Sequence, residues 1–108
     1  MKTLAMTPAQ LAIYERLLSA AKSIGDFAED PKQTSIHLTR KSAFAGVTTR
    51  KNALLLTIKL PADIRSPRIV KHQRASARRW YLDVRLESPQ SVDRELKGWL
   101  KEAMALSS

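Results

Sequence analysis

The chain has 108 residues, 44% of them hydrophobic, no cysteine, and a net charge of +9. That length and apolar content fit one compact domain with an ordinary core and argue against disorder. The absence of cysteine excludes disulfides, thiolate metal sites and cysteine nucleophiles.

The charge is unevenly placed. Residues 1–30 and 87–108 each sum to −1, whereas residues 31–86 carry thirteen Lys and Arg against only Asp63 and Asp83. A middle segment of +11 concentrates anions around it and points to nucleic acid or an acidic protein as partner. "MKTLAM" is too short for a secretory signal, and no apolar run approaches the ~18 residues that span a bilayer. A soluble, cytoplasmic, bacterial-type protein with no membrane contact is the expectation, with residues 1–6 a flexible N-terminus.

In chain order, the first element is a helix over 7–24. Thr7 is a cap, Pro8 suits the first turn, and Gln10 completes a capping box. Leu11, Tyr14, Leu18 and Ala21, with Leu17 and Ile24 beside them, form its apolar stripe. Strand patterns follow over 33–86. "QTSIHLTR" sets Ile36 and Leu38 on one side and His37 and Thr39 on the other. "SAFAGVTTR" is a smaller strand that Gly46 weakens. "NALLLTIKL" alternates Leu54, Leu56, Ile58 and Leu60 against Ala53, Leu55, Thr57 and Lys59. "RRWYLDVRL" alternates Trp80, Leu82, Val84 and Leu86 against Arg79, Tyr81, Asp83 and Arg85. Between the last two lies a basic loop, 61–77, which Pro61 and Pro67 keep irregular. Ile69 and Val70 tack it to the core as a short edge strand, and residues 74–78 form its tip. The last element is a helix over 88–106 capped by Ser88, with Val92, Leu96, Trp99, Leu100 and Ala103 as its stripe.

The fold class is therefore α+β. A four- or five-stranded antiparallel sheet has both terminal helices on one face. Period 2 then turns His37, Thr39, Lys59, Arg79, Tyr81 and Arg85 to the opposite, basic face. An anion is expected to engage Lys59, Lys71, Arg74, Arg78, Arg79 and Arg85, with His37, Thr39 and Tyr81 as the polar part of that face. Arginine suits this role because its planar fork meets phosphate with two hydrogen bonds. The competing reading is a solvated connection whose cations guard a sheet edge against aggregation.

Enzymatic readings find little support. "HLT" at 37–39 matches a His-x-Thr phosphoesterase motif, but the only available second copy, "HQR" at 72–74, lacks the hydroxyl. A His37/His72 acid–base pair is chemically sensible, since imidazole titrates near neutrality. Asp26, Glu29 and Asp30 read as a solvated turn rather than a site for a hard cation. No metal and no cofactor is expected.

"PKQTSIHLTRKSAFAGVTTRKNALLLTIKLP", the basic stretch after it, and "RRWYLDVRLESPQSVDRELKGWLKEA" together resemble an uncharacterised bacterial domain family. Its members stand alone, or lie C-terminal in predicted transport proteins, or accompany restriction-type modules. The resemblance covers roughly 10–104 and rests on Lys32-Gln33-Thr34-Ser35-Ile36, Ala43-Phe44-Ala45, and Arg85-Leu86 leading into Ser88-Pro89. It implies no activity and transfers no functional residue. Two function classes remain: a non-enzymatic polyanion-binding module, and a protein-interaction or self-associating module that buries Leu55 and Tyr81. Monomer and homodimer are both compatible with the sequence.

Overall fold

The structure is a computed structural model that describes residues 5–107. It begins with α1, Pro8–Lys22. Six strands follow: β1 Ala28–Pro31, β2 Ile36–Thr39, β3 Ala43–Arg50, β4 Ala53–Leu60, β5 Ile69–Ser76 and β6 Arg79–Leu86. A short 3-10 turn, Pro89–Ser91, leads into α2, Arg94–Leu106. All strand pairs are antiparallel, in the order β1-β2-β3-β4-β6-β5.

Both helices cover one face. Ile13, Tyr14 and Leu17 of α1 and Leu96, Trp99, Leu100 and Met104 of α2 join a single buried cluster with Leu54, Leu56, Ile58, Leu82 and Val84. The other face, carrying Leu55, Thr57 and Lys59, is only partly shielded. The α+β class and the placement of the helices agree with the sequence reading.

Several details differ from the expectation. The sheet has six strands, not four or five. Segment 61–77 is not one loop: only 61–68 is irregular, and 69–76 is a full edge strand. Helix 88–106 shortens to Arg94–Leu106, because Asp93 rather than Ser88 supplies the capping carboxylate, accepting from the Leu96 N–H at 3.0 Å. The α1 stripe is rotated: Ile13 is buried and Leu11 is 46% exposed. Of the N-terminal residues 1–6, four lie outside the described residues, and Met6 packs on the core.

The rotation of α1 follows from Gln10. The capping box forms as expected, with the Thr7 N–H donating to Gln10 Oε1 (2.9 Å) and the Gln10 N–H to Thr7 Oγ1 (3.2 Å). Gln10 Nε2 also donates to the carbonyls of Arg50 (2.8 Å) and Ala53 (3.1 Å). These flank the two-residue β3–β4 turn, where Asn52 takes the left-handed φ of 57° that asparagine tolerates. One buried amide thus pins the helix start to a hairpin and sets which side chains face the sheet.

Arg68 plays the matching part at the other end. Its guanidinium donates to Asp93 (2.9 and 3.1 Å), Glu95 (3.0 Å) and the Ser91 carbonyl (2.6 Å), and lies 5.6 Å over the Trp99 ring. Burial opposes its charge, but the hydrogen bonds to Asp93 and Glu95 outweigh this and raise its pKa further. One arginine of the basic segment is therefore a structural clamp on the start of α2.

A candidate anion-binding sheet face

Sheet register builds the site. Opposed residues of an antiparallel pair lie on the same face. One row therefore crosses the open face through all six strands: Asp30, His37, Gly46, Thr57, Asp83 and Lys71. A neighbouring row runs Lys59, Tyr81, Gln73. Arg79 lies two residues before Tyr81, at strand period, and opposes Ser76. Lys59, Lys71, Arg79, Arg85, His37 and Tyr81 thus share this face, and Thr39 lies one row away beside Ala28 and Ala43.

The remaining expected anion ligands do not join them. Arg74 opposes Trp80, so it projects on the helix side of the sheet, with its guanidinium 5.9 Å over that ring. Arg78 sits in the β5–β6 turn. Arg85 shares the face but is engaged, with Nε on Glu87 (3.1 Å) and a terminal nitrogen donating to the Lys51 carbonyl (2.8 Å). The six residues are split between two faces and a turn, because β5 is a strand with period 2 rather than a flexible loop.

Among the described residues, Lys59, Lys71, Arg78 and Arg79 form no ion pair with a carboxylate. Lys59 Nζ donates to Ser42 Oγ at 2.9 Å. Its pKa is lowered, first by burial and then by the charge of Arg79. Asp83, the acidic member of the central row, accepts from Thr57 Oγ1 at 2.7 Å.

The face is not flat. Gly46 lacks a side chain between His37 and Thr57, and a hollow of about 320 Å³ opens above it. Thr48 and Ser35 line one part, Lys59 and Tyr81 another, and Phe44 backs it. A Cβ built on Gly46 would meet only His37 Cδ2, at an ordinary 3.6 Å, so the hollow is room that a side chain could fill. In the sequence Gly46 reads as a weak point; the bulges fall instead at Leu38/Thr39 and twice in β5.

The two histidines are far apart. His37 faces the open side from β2, whereas His72 opposes Leu82 on the other side of β5. Three strands separate β2 from β5, about 19 Å at ~4.8 Å per strand. His72 Nδ1 instead meets Asp63 Oδ1 at 2.5 Å, holding the 61–68 connection to the edge strand. That contact, ahead of other causes, lowers the Asp63 pKa. Two of the acidic residues after α1 are also engaged: Tyr14 donates to Glu29 (2.6 Å), and Lys32 pairs with Asp30 (2.8 Å). Among the described residues no three His, Asp or Glu converge as metal ligands, and no helix is long and apolar enough to cross a membrane.

No curated protein and no solved structure matches the chain. A family model described as a domain of unknown function (DUF5655) matches residues 2–107, nearly the whole sequence, and the chain belongs to that family.

Proposed function

We propose that this domain is a non-enzymatic binding module for a polyanion, nucleic acid before acidic protein, in a cytoplasmic setting. The observation that carries the reading is the group Lys59, Lys71 and Arg79 on one sheet face, continued by Arg78 at the hairpin turn, with no ion pair to a carboxylate among the described residues. A solvated connection would scatter such cations, and an edge guard would not need Lys59 in the sheet interior.

Four phosphate contacts release counterions with a slope of about 3–4 in log affinity against log salt, at ~0.7–0.9 per contact. The test is titration of a labelled nucleic acid across salt concentrations. Lys71→Ala with Arg79→Ala should flatten the slope by about 1–2. Lys97→Ala with Lys101→Ala, on the exposed side of α2, should not. Equal flattening by both pairs, or no binding by the native chain, overturns the proposal.

The self-associating alternative would use the same face through Leu55 and Tyr81, the latter 38% exposed. Pairing through the β5 edge is opposed by its two bulges and by Lys71 and Arg74, which would meet like charges in a second copy. Sedimentation of the free protein decides between monomer and homodimer.

A further inference from the structure

We propose that the hollow over Gly46 seats one unpaired base of a single-stranded nucleic acid, with Lys59 and Arg79 holding the adjoining phosphates. This rests on the polyanion reading and narrows it to single strands.

The argument starts from spacing. Strands lie ~4.8 Å apart, so His37 and Thr57, on either side of Gly46, leave a gap of about 10 Å over bare backbone. The volume, about 320 Å³, stands at the lower end of the ~300–1,000 Å³ of small-ligand sites. Its walls combine the two things a base requires. His37 and Tyr81 are ring side chains of the lining on which a base can stack; the hydroxyls of Ser35 and Thr48 can donate to a polar ring edge, and Thr57 Oγ1, which donates to Asp83, can accept from one. Phe44 and Ala45 give it an apolar backing.

The charged residue of the lining is Lys59, while at the Thr48 end the Arg50 guanidinium donates to the Thr48 hydroxyl at 3.4 Å. Lys59 opposes Tyr81, and Arg79 is two residues before Tyr81 on the same face of β6. A base in the hollow can direct its backbone toward Lys59 and Arg79. Duplex bases are stacked and paired inside the helix and do not reach such a recess; an unpaired base does.

The experiment measures fluorescence anisotropy with four labelled probes of equal length: oligo(U), oligo(dT), an abasic strand with the same phosphates, and a duplex. The native chain should bind oligo(U) and oligo(dT) more tightly than the abasic strand or the duplex. Gly46→Val fills the hollow and suits a strand. It should lower affinity for the base-bearing strands about 5- to 150-fold, the range for losing one stacked base, with the salt slope unchanged. Binding of the abasic strand should not change. Tyr81→Ala, at an exposed position that leaves the core intact, should act in the same way and guards against misfolding of the glycine variant. Equal affinity for base-bearing and abasic strands overturns this inference while the polyanion reading stands, as does indifference to both substitutions. No binding of any probe overturns both.

Discussion

Arg68 is the cation of the basic segment whose partners are all structural, and its removal measures what such a cation contributes to the fold. Arg68→Ala deletes a guanidinium that is 25% exposed and joins three partners and a ring. The cation–π contact with Trp99 is worth about 0.5–1 kcal/mol. The carboxylates of Asp93 and Glu95 are 49% and 55% exposed, so their combined contribution is discounted to about 0.5 kcal/mol. The Ser91 carbonyl bond adds a net ~1 kcal/mol. The expected loss is about 2 kcal/mol, or roughly 8–16 °C in Tm for a domain of this size. Arg68→Lys keeps the charge but not the planar fork and should lose about half as much. Urea unfolding measures both. The pH dependence adds an independent check. The Asp93 carboxyl is held below its ordinary value, first by the Leu96 N–H and then by Arg68. A depressed carboxylate contributes stability above its unfolded pKa of ~3.9 and loses it as pH falls through the folded value. The difference between native and Arg68→Ala proteins should therefore narrow in acid. A loss under about 0.5 kcal/mol at neutral pH, the level of an ordinary surface charge, would refute the clamp.

Gln10→Glu should destabilise by about 2–3 kcal/mol near neutral pH, more than Gln10→Ala, because a carboxylate would face two carbonyl oxygens that now accept from the amide; urea midpoints that rank Ala below Glu would contradict this. Tyr14 has its pKa raised, first by burial and then by the hydrogen bond and charge of Glu29. Its contribution to stability is full below the unfolded value of ~10 and is lost as pH rises through the folded value, so alkaline unfolding of Tyr14→Phe should lack that component.

The parts of the fold legible in the sequence are those whose two faces see different environments. β4 and β6 are interior strands, paired on both sides, with helices on one face, so Leu54 to Leu60 and Trp80 to Leu86 alternate cleanly. β5 is also a strand, yet after Ile69 every residue is exposed, and without a buried face there is no period to read. β1 is four residues ending in Pro31, equally silent. The start of α2 misleads for another reason. Ser88 and Pro89 carry the local cap chemistry, but the tertiary clamp of Arg68 on Asp93 and Ser91 holds the true start five residues later.

The candidate site divides along the same line. Parity within a strand assigns Lys59, Tyr81 and Arg79 to one face, and register bears this out. Parity says nothing of a segment that reads as a loop, so nearness in sequence groups Arg74 with residues it does not face. The hollow over Gly46 is a non-local object: it exists because β2 and β4 place His37 and Thr57 on either side of a residue with no side chain. No window of sequence contains those three residues in that relation. The edge-guard and ligand readings of the basic segment also cease to compete once β5 is a strand. Its cations repel a second copy of the same edge, while Lys71 shares the open face with Lys59 and Arg79. A chain that must expose an edge can present the charges that protect it to a phosphate backbone as well. What distinguishes the two uses is Lys59, which lies two strands in from that edge and contributes nothing to guarding it.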